Sequence, residues 1–281
     1  MSITHYYYTN KVTEKANVTD ATSDSNNATA NLLSQNLDTK WEPATTTENG
    51  GKPYVVLDLG PNQTDATYNA GRGVASGSFD TIGLWIKNYG TDFTQTGLNL
   101  YSGFASNCPI HHGYYSIDHD GSPIWYASVS GSAIARRYVR IEFDNLPTPI
   151  QVSHLFLSTE RSIGRSHEYN GSYKKPLYSN MSNSLNGGHT SVHYQTHDAV
   201  QQFRRQYEII TQSEITSVEN IWEDCAGSRR LFIYQPSTGF GDAYVCRFDK
   251  DDPNWKEVHA EYWQVQFDFT QLPYIRPGET Y

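Results

Sequence analysis

The last apolar run of the chain, EYWQVQFDFTQL at 261–272, alternates without a break. Trp263, Val265, Phe267 and Phe269 stand against Gln264, Gln266, Asp268 and Thr270. A two-residue period sends every second side chain to one face, so the run predicts a half-buried β-strand. RRYVRIEF repeats the pattern, with Val139, Ile141 and Phe143 set against Tyr138, Arg140 and Glu142. Further strands are predicted in PYVVLDLG, FDTIGLWIKN, GLNLYSG, IWYASVS, QVSHLFLST, RRLFIYQP and DAYVCRFD, each bounded by turn-forming residues. In FDTIGLWIKN the set Ile82, Leu84, Ile86 alternates less cleanly, because Trp85 falls on the other face. GHTSVHYQTHDAVQQFRRQYEII reads as one or two more strands. One segment has a helical period: in TQSEITSVENIWEDCAG, the residues Ile215, Val218, Trp222 and Cys225 fall on one stripe. Thr211 or Ser213 caps it, Glu214 lies in the first turn, and Gly227 stops it.

These elements predict a mainly β protein, with a sandwich in the first half and a β-rich second half carrying one amphipathic helix. The stretch 160–190 is polar and rich in Ser, Gly and Asn, which places a domain boundary there. The expected division is 1–162 and 163–281. A length of 281 residues suits two domains.

Composition narrows the function classes. Aromatic residues make up 14%, with 21 Tyr, too many for a disordered chain. A formal net charge of -9 gives no global field for drawing in nucleic acid or an anionic membrane, so neither is an expected partner. The pairs Arg136-Arg137, Arg204-Arg205 and Arg229-Arg230 are isolated, which predicts solvated or intersubunit roles rather than a phosphate track. Three widely spaced cysteines, Cys108, Cys225 and Cys246, match neither a disulfide framework nor a zinc ribbon. The start MSITHYYYTNKV lacks the basic head and apolar core of a signal peptide. No window approaches the roughly 18 apolar residues of a membrane span. The expectation is a protein made in a reducing cytosol.

The order of several segments carries a family resemblance. LLSQNLDTKW contains Thr39 and Trp41; VVLDLG contains Asp58, Leu59 and Gly60; LWIKNYG and ARRYVRIEF follow. Together, over roughly 15–160, they resemble the discoidin-type domain, the galactose-binding-like jelly roll of the coagulation-factor C-domain family. That family carries A-x-D-G-D-x-x-T-x-W, a strand ending near D-L-G, a W-I-x-N strand and Y-V-R-I-x-F. The resemblance implies a jelly-roll β-sandwich with carbohydrate-binding loops and no catalytic cofactor. Many members hold a structural calcium at the Asp-Gly turn, but here Ser34-Gln35 and Asn36 occupy it. Loss of the carboxylate argues against calcium, and a turn tied by its own Asn and Ser side chains is the simpler expectation. Trp41 has two open roles, packing beneath the loops or stacking on a sugar ring.

The second half has its own, fainter likeness. RRQYEIITQSEITSVENIWEDCAG, LFIYQP, AYVCRFD and YWQVQFDFTQL, within 185–275, resemble the tail proteins of long-tailed bacteriophages in their order of strand, helix and strands. The resemblance implies a structural virion component placed at the tail or its distal tip. Its partners would be copies of itself and other tail or baseplate proteins, with host surface glycans possible. A stand-alone bacterial lectin-like adhesin is the alternative.

Candidate chemistry concentrates in HHGYYSIDHDGSPIWY, 111–126, which reads first as a long loop with a turn at Asp120-Gly-Ser-Pro. It gathers His111, His112, Tyr114, Tyr115, Asp118 and Trp125, and with Trp41 these are the candidate ligand-binding residues. Aromatic faces beside polar groups are what glycan binding needs. Asp118 and Asp120 lie too close in sequence to face each other across a sugar as a glycosidase pair. His189, His193 and His197 recur every fourth residue, but on a strand neighbours in that series stand about 13 Å apart, too far for one metal. GRGVASG at 71–77 lacks the lysine and following helix of a phosphate cradle. No nucleophile elbow or activated cysteine is present, so no catalytic residue is assigned.

Overall fold

A computed structural model describes residues 6–10, 17–21, 29–33, 39–42, 52–59, 78–87, 97–117, 124–129, 131–144, 150–163, 173–174, 179–183, 190–194, 201–209, 211–236, 243–251, 253–259 and 262–272. The chain forms two compact units, Tyr8–Arg161 and Ser162–Tyr281 together with Met1–Tyr7.

The N-terminal unit is a jelly-roll β-sandwich. Its strands are β1 (Tyr6–Asn10), of which Tyr6 and Tyr7 count with the other unit, β2 (Asn17–Ala21), β3 (Tyr54–Asp58), β4 (Thr81–Ile86), β5 (Gly97–Gly103), β6 (Ile110–Ser116), β7 (Ile124–Ser128), β8 (Tyr138–Asp144) and β9 (Val152–Arg161). One sheet runs β2-β3-β8-β5-β6, all antiparallel. In the other, β4 lies between β9 and β7, and β1 flanks β9. Val55, Leu57, Leu98, Leu100, Val139, Ile141 and Phe143 turn inward from the first sheet, as period-2 reading requires. β4 departs from that period because all six residues are buried, Trp85 included. A strand covered on both faces loses its alternation.

Trp41 is the packing residue of this unit, 0% exposed. Its backbone bridges Val152 in both directions (N to O 2.8 Å, O to N 2.9 Å), and its ring lies 5.6 Å from that of Phe143. It thus ties the strand entry of one sheet to a core side chain of the other. In this setting the Trp41 indole, one of the candidate ligand-binding residues, is enclosed by the core. Asn10 on β1 makes a polar tie within one sheet, to the neighbouring strand β9. Its side chain accepts from Leu157 N–H, donates to Leu155 C=O and meets His154 Nε2 at 3.0 Å, all buried.

The C-terminal unit has β10 (Tyr173–Lys174), β11 (Ser179–Asn183), β12 (Thr190–Tyr194), β13 (Gln202–Ile209), β14 (Phe232–Gln235), β15 (Tyr244–Phe248), β16 (Asn254–His259) and β17 (Tyr262–Gln271), with helix α1 (Gln212–Cys225). β10-β13-β17-β15-β14 form one sheet, β16 pairs β17, and β11-β12 form a hairpin-like pair. α1 begins as its sequence directs: Thr211 and Glu214 form a reciprocal capping box. Its buried stripe is Val218, Ile221 and Cys225, with Ile215 and Trp222 partly buried against the same core. The Trp222 ring lies 4.4 Å from that of Phe248 at a tilt of 38°, and its indole donates to Asp251 C=O. Ala226 and Gly227 end the helix at φ 50° and 66°, and a side chain at Gly227 would press on the Asp251 backbone.

One arginine contradicts its expected surface role. Arg205 lies on the apolar face of β13 between Phe203 and Tyr207 and is buried. Its Nε donates to Tyr234 Oη at 2.7 Å, and its guanidinium lies over the Phe203 and Tyr234 rings. Arg204, on the other face, pairs with Asp268 at 2.8 Å. Cys225 and Cys246 are free thiols in this core, and burial raises the Cys246 pKa well above its ordinary value.

Two substitutions test these anchors. Trp41→Ala removes a fully buried aromatic and should cost about 3–5 kcal/mol, read by chemical denaturation of the full chain; a loss under about 1 kcal/mol would mean the ring is not a core element. Thr211→Ala removes the cap and should cost about 1 kcal/mol, and an unchanged unfolding curve would show that the box contributes nothing.

Candidate functional site

The segment 111–126, expected as a long loop, is largely β-structure. β6 spans Ile110–Ser116 and β7 spans Ile124–Ser128. The reason the pattern hid β6 is a bulge. Asn99 pairs with Tyr114 and Leu100 with Gly113, but Tyr101 pairs with His111, so His112 is an inserted residue. Gly113 takes φ 137°, a conformation side chains rarely allow. The insertion breaks the period of two. His111 and Tyr114, three residues apart, therefore share the outer face of the sheet, while His112 turns to meet Ser102 Oγ at 2.6 Å.

On that outer face Tyr114 has an unusual seat. It is 50% exposed. A Cβ placed on Gly97 would fall 2.2 Å from its Cζ and Oη. The phenol end thus lies across the Gly97 backbone, in space that any side chain at 97 would fill. A polar constellation adjoins it. Asp144, opposite Gly97 in register, accepts from Lys52 Nζ at 2.9 Å and from Asn99 Nδ2 at 3.3 Å. His111 Nε2 donates to Asn99 Oδ1 at 3.2 Å, and its ring lies 4.7 Å from Tyr101. Arg140 continues the row, held to Glu142 at 2.6 Å and laid over Tyr54 at 4.6 Å. The Lys52 pKa is raised, first by its hydrogen bond to Asp144, so the ammonium stays charged. The cluster offers one aromatic platform with ammonium, carboxylate and imidazole groups around it. Such a set matches a polyol ring with an apolar C–H face.

The other candidates take separate places. Tyr115 is buried on the inner side, with its hydroxyl near His112 C=O. Trp125 is buried on β7, its indole donating to Ser116 C=O at 3.1 Å. Both side chains are largely enclosed by the fold and stand apart from the exposed face that carries Tyr114. Asp118, His119 and Asp120 lie outside the described residues, as do Ser34 and Asn36 of the calcium-type turn and His189 and His197. His193 lies on β12, opposite Asn180. Among the described residues no group of three or more His, Cys, Asp or Glu is placed to hold a metal. Sequence reading missed Lys52, Asn99, Tyr101 and Asp144. GLNLYSG did present Asn99 and Tyr101 opposite its Leu98 and Leu100, and that alternation was the available signal.

No protein-family model and no curated protein matches the chain. Solved structures similar to it include CpGH89CBM32-6 of Clostridium perfringens, 15% identical, covering 53% of this chain and 97% of that one with a TM-score of 0.38. The family 32 carbohydrate-binding module of C. perfringens NanJ, in complex with galactose, is 10% identical and covers 56% of this chain and 99% of its own at 0.39. The lectin domain of lectinolysin, complexed with Lewis B antigen, is 12% identical over 53% of this chain and 96% of that domain at 0.38.

The seat of Tyr114 can be tested without touching the tyrosine. Gly97→Ala should displace the exposed ring at little cost to folding, because the obstructing atoms are the far end of a surface side chain. The expected result is a changed Tyr114 ring environment by NMR with nearly unchanged unfolding; a Tyr114 spectrum identical to the parent's would show that the ring does not occupy that space.

Proposed function

We propose that this chain is a carbohydrate-binding structural protein of a long-tailed bacteriophage tail or its distal tip, in which the N-terminal sandwich contacts host surface glycans and the C-terminal unit builds into the particle. The observation that carries the glycan half is Tyr114 laid across Gly97, half exposed and flanked by Lys52, Asp144 and His111. A sugar ring stacks its C–H face on the phenol ring and gives its hydroxyls to the ammonium, carboxylate and imidazole. The ligand is a neutral sugar, because Lys52 is already matched by Asp144 and Arg140 by Glu142. The discoidin-type order of segments across the first half supports the same reading.

The tail half is supported by the strand–helix–strand order of the second half and by the nature of that unit. Its core is dense in aromatic rings, with Phe203, Tyr234, Phe248, Phe267 and Phe269 in mutual contact. No reacting group is required of it. Copies arrayed on one particle raise the apparent affinity of a weak sugar contact without new chemistry.

Glycan-array binding of the full chain, followed by calorimetry on the strongest hit, tests the first half. Tyr114→Ala should weaken binding at least about tenfold, equivalent to about 1.4 kcal/mol, with an unchanged melting temperature. Equal affinity in that variant, or an array without hits, refutes the site. For the second half, peptides of this chain should appear by mass spectrometry in purified particles of the phage that encodes it. Glycan binding by a chain absent from particles would instead make it a stand-alone lectin.

A further inference from the structure

A different cluster lies at the other end of the five-stranded sheet, where β5 ends, β6 begins and β8 begins. Gly103 pairs with Tyr138 and Ser102 with Ile110, so the turn after β5 stands beside Arg136. Phe104, the first residue of that turn, is 61% exposed. The turn is tightly built. Cys108 N–H donates to Ala105 C=O at 3.1 Å, Cys108 is buried at φ 44°, and a Cβ on Gly103 would fall 2.7 Å from Pro109 Cδ. Phe104 is therefore held out on a compact turn.

Over its ring, at 4.6 Å from the centroid, lies the guanidinium of Arg136. Neighbouring arginines are matched: Arg137 makes a two-pronged pair with Asp58 at 2.9 and 2.8 Å, and Arg140 pairs with Glu142. Arg136 is not. Its Nη1 donates to Ala135 C=O at 2.9 Å, its Nε is buried without an acceptor, and among the described residues no carboxylate pairs with it. A guanidinium held by a ring, with no counter-charge and with Nη2 given no acceptor among the described residues, is the arrangement that a planar oxyanion completes. The local field agrees. His112 has its pKa lowered, first by burial, then by Arg136 and His111.

We infer that Arg136 and Phe104 form a second ligand site, separate from Tyr114, that takes a carboxylate-bearing sugar unit of an acidic glycan. The carboxylate accepts from Arg136 Nη2, and the apolar part of the sugar lies against the exposed ring of Phe104. Only the choice of a sugar as carrier rests on the glycan reading above; the demand for an anion comes from Arg136 itself. The two sites would let one module distinguish acidic from neutral polymer, by sign of charge at one end and by ring stacking at the other.

The experiment is an NMR titration of the isotope-labelled full chain with sodium glucuronate, with glucose as the neutral counterpart and inorganic phosphate as the bare anion. Glucuronate should give saturable shifts at Phe104, at the Arg136 side chain and at the His112 ring, whose pKa should rise as the anion offsets Arg136. Glucose should leave these signals still, and binding should weaken with added salt. Arg136→Gln and Phe104→Ala should each reduce affinity at least about tenfold, equivalent to about 1.4 kcal/mol, while Tyr114→Ala leaves it intact. Phe104→Ala is a surface change, so it keeps the test valid if Arg136→Gln unfolds. Equal response to glucose, no saturation, or binding retained in both variants overturns the site. Phosphate binding as tight as glucuronate overturns the sugar class. Loss of neutral-sugar binding in Tyr114→Ala with glucuronate binding kept separates failure of one site from failure of the other.

Discussion

The pairing of β5 with β8 governs the N-terminal unit. It runs in register from Gly97↔Asp144 to Gly103↔Tyr138, without a bulge. A slip of one residue would turn Leu98 and Leu100 outward and bring Asn99 and Tyr101 into the core. Register is therefore fixed by burial, and the outer row Tyr54, Arg140, Tyr101, Asn99 and Asp144 follows from it. Six residue steps at about 3.4 Å each put roughly 20 Å between the ends of this ladder. Both ends are glycines, and each makes room for something else. At Gly97 the occupant is Tyr114, and at Gly103 it is Pro109. One clean ladder thus positions two chemically different clusters, the balanced one around Asp144 and the unbalanced one around Arg136.

The C-terminal unit solves a different problem, a cation inside an aromatic core. Arg205 has no carboxylate among the described residues. Tyr234 supplies a hydroxyl acceptor, and the faces of Phe203 and Tyr234 supply negative quadrupoles. Tyr7 and Tyr207 share a hydrogen bond at 2.7 Å in the same core, and burial raises the pKa of both, so the hydroxyls stay neutral. An arginine kept this way rigidifies its neighbours, since each ring must hold its angle to satisfy it. Replacing it with methionine, which is unbranched like arginine, would remove a desolvated charge and also remove the donor that Arg205 gives to the Tyr234 hydroxyl.

The parts legible in the sequence were those with an unbroken period. β17 and β8 alternate cleanly, and α1 carries its cap, its acidic first turn and its stop in the right order. Ile221 was missed from the helical stripe because the chosen spacing ran through Ile215, Val218, Trp222 and Cys225. β6 was missed altogether. IHHGYYS has two histidines and a glycine, weak strand formers, and its bulge moves the exposed residues from a spacing of two to a spacing of three. Trp41 was recognisable by its place before the strand PYVVLDLG, but packing and sugar contact look alike in one dimension. Lys52 and Asp144 are far apart in sequence, and only the pairing of β3 and β5 with β8 brings their groups within 2.9 Å. A binding cluster assembled across strands has no local signature.

The same geometry also limits what one copy of the module can achieve. Around Tyr114 there is one ring to stack on and few free polar groups, since Asn99 is buried and engaged with Asp144 and His111. A contact of this kind covers about one hexose, which has about twelve non-hydrogen atoms. At about 0.3 kcal/mol per atom that gives roughly 4 kcal/mol, which corresponds to a dissociation constant of about 1 mM. Under the proposed function, such a contact would not hold a particle to a cell alone. It becomes useful only when several copies engage one polymer, so that each rebinds before the others release. A shallow, open platform on a sheet face suits that use better than a deep pocket would, because it accepts internal units of a chain as well as ends. Under the proposed function, the weakness of the single site and an assembly role for the aromatic-cored second unit would be parts of one physical argument.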